Sequence, residues 1–405
     1  DVNFSLFKKK IGETEWGIGW LPLGGYVKIA GMIDESMDKE QMAKPPKSWE
    51  FRSKPSWQRL IIMLGGVTVN FIMAIIIYIG LAYSYGSSSI SLDSMEDGFV
   101  ITNPILTEAG FRTGDKIITV DGKKLETYSD LRKSIIGSTN YQVERNGNIL
   151  EIQLPVDFLG KLSSSEDMSS FEFRRPFIIQ SVSDESLNKD YDIRQGDQIV
   201  SVNGQDIKYA DQLNPLLQQN SNQTIEVELI RDSFRIKKTL NVNEDGKLGI
   251  TYGATVQNMV DLGLMKVSIN SYSFLESIAV GTNNFVSFMG FYFDQLVAIF
   301  NPSTGAYKGL GGFIAIGNIF PSTWDWQSFW STTALLSIML GVLNLLPIPA
   351  LDGGHAMFLV YEMVSGRKPS DKFMETVQVI GFLILLALVI FANGNDIYKL
   401  FNFIV

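Results

Sequence analysis

The sequence predicts an α+β multidomain membrane protein, a polytopic α-helical membrane core joined to β-rich outer domains. Three observations carry this: three long runs without charge, a β-patterned middle section that repeats itself, and a mean hydropathy of +0.11 that averages two unlike kinds of segment. The 405 residues hold 45% hydrophobic and 19% charged side chains, no cysteine and one histidine, His355. Zero cysteines exclude disulfides, a thiol nucleophile and Cys-ligated metals. A single histidine excludes any site within these residues that uses two imidazoles. The net charge of −9 argues against a nucleic-acid partner, which calls for a basic face to neutralise phosphates.

The membrane segments come from the charge map. Residues 60–92 contain no Asp, Glu, Lys or Arg, and 60–83 are enough to cross a hydrocarbon core of about 30 Å as a helix. Residues 326–351 and 376–395 pass the same test, the latter centred on Val-Ile-Gly-Phe-Leu-Ile-Leu-Leu-Ala-Leu-Val-Ile-Phe. Ten Lys and Arg precede the first run within residues 1–59, and Arg367, Lys368 and Lys372 follow the second. Three spans place both basic segments on the cytoplasmic side and the long middle section outside.

That middle section, about residues 93–255, alternates apolar and polar residues in short runs separated by Gly, Asn and Asp. Arg112-Thr-Gly-Asp-Lys-Ile-Ile-Thr-Val-Asp-Gly122 returns as Arg194-Gln-Gly-Asp-Gln-Ile-Val-Ser-Val-Asn-Gly204, 82 residues later. An offset of this size means duplicated domains, not solenoid units. Gly-Asp sets a turn into an Ile-x-x-Val strand, and Asp-Gly or Asn-Gly closes it tightly. The repeated pattern resembles the PDZ domain, which captures extended peptides, C-termini among them, at a sheet edge. On that resemblance the copies span 95–157 and 176–246, with Ser163 to Ser170 as linker. Gly114, Asp115, Gly196 and Asp197 read as turn-shaping residues. Neither copy shows a clear Gly-Leu-Gly-Phe carboxylate loop, which leaves peptide capture open.

Candidate chemistry lies at the end of the second apolar run, in Asn344-Leu-Leu-Pro-Ile-Pro-Ala-Leu-Asp-Gly-Gly-His355. Pro347 and Pro349 break the helix and free backbone groups that need other partners. A carboxylate at this depth is costly unless it is paired, bound to metal or wetted by a cavity. Asp352 therefore reads equally as a metal ligand or as an N-cap for the next helix.

Asn344-x-x-Pro347-x-Pro349-x-Leu351-Asp352-Gly353 resembles the third-span motif of the site-2 proteases, intramembrane zinc metalloproteases, above all the bacterial members with two tandem PDZ domains. Gly17-Ile-Gly-Trp-Leu-Pro-Leu-Gly-Gly-Tyr-Val-Lys28 is similar to that family's membrane-associated β-hairpin, here about residues 16–32. Gly65-Gly66-Val-Thr-Val-Asn70-Phe71 resembles its Gly-x-x-x-Asn-Phe motif. The resemblance implies Zn2+ as cofactor and Asp352 as one of three protein ligands. It also implies that Asn344 hydrogen-bonds the substrate backbone near the scissile bond, and that Gly24, Gly25 and Tyr26 hold the substrate extended beside Pro347 and Pro349. The family's other two ligands and its general base come from an H-E-x-x-H helix, which these residues lack. Either a first span carrying that motif precedes Asp1, the expectation adopted, or the chain is an inactive relative. His355, three residues after Asp352, is not among the ligands the resemblance implies.

Residues 274–300, apolar but broken by Glu276 and Asp294, suggest an amphipathic helix at the outer membrane surface, or one packed on the repeated domains. The resulting reading is a metalloendopeptidase of the bacterial inner membrane with its PDZ pair in the periplasm. It cuts single-span membrane proteins, such as anti-sigma factors or remnant signal peptides, after a first protease has trimmed them. The rival reading is a non-catalytic scaffold whose PDZ pair binds C-termini.

Overall fold

In the computed structural model the described residues are 5–12, 14–19, 29–31, 45–165 and 169–404. Apolar composition and length dictate the long helices first. Among the described residues, three helices are long and apolar enough to cross a membrane: Ser56–Tyr85, Trp326–Leu345 and Lys372–Phe401. The second stops short of the expected residue 351. Pro347 and Pro349 have no amide hydrogen to donate, and the residue before a proline is pushed out of the α region.

The chain divides into two units, Asp1–Val69 with Leu340–Leu386, and Asn70–Met339 with Ala387–Val405. In the first unit, strands β1 (Ser5–Ile11) and β2 (Thr14–Gly19) form an antiparallel hairpin that pairs Lys10 with Glu15 and Lys8 with Gly17. It leaves Leu6, Phe7, Trp16 and Ile18 exposed. Most of the hairpin expected at 16–32, with Gly24, Gly25 and Tyr26, falls outside the described residues. The same unit holds the lower half of helix α1 (Ser56–Tyr85).

In the second unit the repeated sequence forms two β modules. The first has a three-stranded sheet of β5 (Lys116–Val120), β6 (Asn140–Arg145) and β7 (Asn148–Gln153), helix α2 (Tyr128–Ser134), and a ribbon of β4 (Phe99–Val100) with β8 (Glu172–Phe173). The second orders its strands β13-β12-β10-β9-β14, namely Phe234–Asn241, Thr224–Arg231, Gln198–Val202, Phe177–Val182 and Ile250–Tyr252, with helix α3 (Ala210–Gln219) alongside. Asp121-Gly122 and Asn203-Gly204 both have positive φ, 46° and 75° in the first copy, 50° and 81° in the second. Paired positive φ values define the tight hairpin turn that the repeated Asp/Asn-Gly predicts.

The modules differ in what closes them. The second packs Ile179, Ile199, Leu213, Val227, Leu229 and Leu240 from its own span. The first buries Leu106, Phe111, Leu131, Tyr141 and Val143 together with Phe171, and also Met259 and Met265 from beyond the second module. Helix α4 (Val256–Asp261) carries Met259, and β15 (Val267–Asn270) pairs with β3 (Ser87–Ile90). The first core therefore extends well outside 95–157, because that stretch alone leaves its apolar face uncovered.

Helix α5 (Phe274–Phe300) packs antiparallel to the upper half of α1. Phe285 meets Phe71 with ring centroids 5.9 Å apart, and Phe274 meets Tyr83 at 6.0 Å. Gly281 allows the approach, since a Cβ there would lie 2.6 Å from the Ile79 Cα. A helix lying flat on the membrane surface could not follow α1 in this way. Its packing surface is another helix, with only its last turns bordering a cleft of about 450 Å³ against the first module.

Candidate metal and active site

The site grows from the break after helix α7, numbering α6 (Phe313–Gly317) and α7 (Trp326–Leu345) in chain order. Asn344 sits on its last turn, half-buried. Residues 346–351 turn back through the Leu351 amide donating to the Ile348 carbonyl at 3.0 Å. Ala350 takes a left-handed φ of 84°, a conformation that costs an L-residue roughly 1–2 kcal/mol. The reversal starts helix α8 (Asp352–Ser365) with Asp352 as its first residue.

The cap of that helix is Leu351, with no side-chain capping hydrogen bond. The N-cap reading of Asp352 is thereby corrected: the residue stands one position inside the helix and its carboxylate serves no amide. Among the described residues it has no hydrogen-bond or salt-bridge partner, and a Cβ placed on Gly66 of α1 would stand 4.0 Å from its Oδ2. The surroundings are built for close approach. A Cβ on Gly353 would overlap the Leu345 and Leu346 carbonyls, and one on Gly381, in helix α9 (Asp371–Ile404), would overlap the backbone of Pro349. Three helices thus crowd the loop through glycine, leaving the carboxylate as the chemically available group.

Pro347 and Pro349 lie in the reversal, so Asn344, both prolines and Asp352 frame one loop. His355 lies close enough to Asp352 for their charges to interact, and it lines a cavity of about 80 Å³ with Arg59, Met63, Leu359 and Glu362. No group of three His, Asp or Glu that could hold a metal occurs among the described residues. Asp352 fits a metal as a single ligand, by its free carboxylate, and a tetrahedral zinc site needs further ligands from elsewhere.

Sequence reasoning missed two features. Arg59 donates to Glu362 at 2.5 Å across 303 residues. In the second unit, Asp396 accepts from the Ile314 and Ala315 amides at 3.0 and 3.2 Å, while Asn395 donates to the Lys308 and Leu310 carbonyls. This clasp holds the Gly-rich segment before α7. Its signal in the sequence was Asn393, Asn395 and Asp396 together in an otherwise apolar helix.

Comparison with known proteins places these features in a class. Residues 2–388 match Peptidase family M50. The chain is 28% identical to the regulator of sigma E protease of Haemophilus influenzae, over 96% of this chain and 88% of that protein. It is 26% identical to protease RseP of Yersinia pestis over the same shares, and 27% identical to a Rickettsia conorii protein named "Putative zinc metalloprotease", over 99% and 90%. The matches define a zinc-dependent membrane metalloendopeptidase. The chain belongs to peptidase family M50, the site-2 proteases.

Proposed function

We propose that this chain cuts single-span membrane proteins within the bacterial inner membrane, using Asp352 as one zinc ligand. The observation that carries the reading is the Asp352 carboxylate, held without a hydrogen-bond or ion-pair partner among the described residues, at a glycine-lined helix junction next to spanning helices. In the resemblance the other ligands and the general base come from an H-E-x-x-H motif, which these residues do not contain. Zinc bound there would polarise the scissile carbonyl and lower the pKa of its water.

The chain's own residues prepare the substrate. A helical substrate hides its amides in its own hydrogen bonds, so it must be drawn out before water can attack. Asn344 donates to the extended substrate backbone near the scissile bond, and the reversal at Pro347 and Pro349 leaves room for that strand. Gly24, Gly25 and Tyr26 supply an edge for it, and the exposed apolar residues of the β1–β2 hairpin suit a membrane-seated element. The two β modules act as periplasmic PDZ domains that admit substrates already trimmed by a first protease, with free C-termini as their peptide ligands. The basic segments, residues 1–59 and Arg367 to Lys372, face the cytoplasm.

The test is metal content and cleavage of a model single-span substrate by the purified full-length protein. Asp352→Ala loses both, whereas Asn344→Ala keeps zinc and loses about 100-fold in turnover, the cost of one transition-state donor. Unchanged zinc and activity in Asp352→Ala would overturn the ligand role.

A further inference from the structure

Helix α8 carries two carboxylates, Asp352 at its first position and Glu362 near its end. Both meet α1. Glu362 accepts from Arg59, whose Nε also donates to the Lys54 carbonyl at 2.9 Å, and Asp352 lies beside Gly66. Between them Met63 and Leu359 are buried and line the small cavity with His355. On α1 the contacting positions are 59, 63 and 66, and on α8 they are 352, 355, 359 and 362. Both sets follow the spacing of one helical face. The helices are therefore antiparallel neighbours, pinned by an ion pair at one end and bearing the site at the other.

The two ends differ in what they can specify. In a lipid setting, apolar side chains gain little by choosing one another over acyl chains, so Met63 against Leu359 sets no register. The cavity beside them leaves slack: about 80 Å³ is room for two or three waters. An ion pair is directional. Its arginine side chain is 10% exposed and its glutamate 18%, and a slip of one turn, about 5.4 Å, would break the pair. Such a slip would also carry Asp352 away from Gly66.

We propose that Arg59 and Glu362 are positioning residues, whose ion pair fixes the register of α8 on α1 and so places the Asp352 carboxylate for the metal. This rests on the reading of Asp352 as a ligand. The pair touches neither metal nor substrate and acts through ten residues of helix.

The experiment uses cobalt-substituted full-length protein in lipid nanodiscs, following the cobalt absorption band and the rate of metal loss to a chelator. Glu362→Gln keeps the shape and removes the charge; Arg59→Glu with Glu362→Arg reverses the pair. Glu362→Gln should lose metal about 10-fold faster, the low end of the range for disturbing the groups that orient a ligand, and shift the cobalt band, with helix content unchanged. The reversed pair should restore the band. A Glu362→Gln protein with a native band and native metal loss overturns the proposal, even if it melts at lower temperature, since that marks a merely structural pair. If Glu362→Gln does not fold, the reversed pair decides, a native band supporting the proposal and an altered one overturning it. Asp352→Ala separates the premises: metal loss there with native Glu362→Gln sinks the positioning role alone, and native metal retention in Asp352→Ala sinks both.

Discussion

The two β modules descend from one repeated sequence, yet they solve the same problem with different means. Each turns its Gly-Asp aspartate inward. Asp115 accepts from the Arg112 amide and from Arg145 at 2.6 and 2.7 Å; Asp197 accepts from the Arg194 amide and from Arg231 at 2.8 and 2.7 Å. Both aspartates are 1% exposed, so they are buried ion-pair partners as well as turn residues. Arg231 has a second partner in Asp192, whereas Arg145 adds only the Gly110 carbonyl. The second module closes with strand β14, a few residues past the expected 246, while the first takes Met259, Met265 and strand β15 from beyond its twin. A repeat in sequence is therefore not a repeat in autonomy.

The sharpest break of this comparison is isolation. Residues 176–254 alone should fold, with β-sheet circular dichroism and dispersed amide resonances, while residues 95–157 alone should remain unfolded. A folded 95–157 fragment would show that the borrowed segments are dispensable. A smaller effect separates the aspartates. Asp115→Ala strands Arg145 and should lower local stability by about 3 kcal/mol, at the low end for breaking a buried pair. Asp197→Ala should cost about 2 kcal/mol, as for a charged hydrogen bond, because Asp192 still holds Arg231. Amide hydrogen exchange in β5–β6 and β10–β12 of the intact protein measures both, and equal costs would deny Asp192 its role as substitute.

Smallest is the acid response. Burial works to raise the Asp197 carboxyl, but the hydrogen bonds from Arg231 and Arg194 outweigh it and hold the pKa below its usual value. A depressed folded-state pKa gives stability that is complete above the unfolded value, about 3.9, and is lost as pH falls through the lower folded one. The isolated second module should lose stability below about pH 4, and Asp197→Asn should flatten that limb of the pH curve. An unchanged limb would assign the acid response to other carboxylates.

What the sequence disclosed and what it hid divide along contact range. Charge-free runs, paired positive-φ turns at Asp121-Gly122 and Asn203-Gly204, and the helix break at Pro347 are local, and residue chemistry announces each. The pairing of Arg59 with Glu362, the closure of β3 by β15 and the seating of α5 along α1 join residues 177 or more apart, and no periodicity encodes them. Asp352 stood between these cases. Its motif was visible, but whether it capped a helix depended on Leu351 taking the cap position.

The borrowed closure also sets a timetable. A ribosome delivers residues 87–173 first, but their core cannot finish until residues 254–270 have emerged, by which time the second module has all its own strands. The first module therefore cannot be complete before the second is able to be, and its last pieces arrive just ahead of the helix that begins at Phe274.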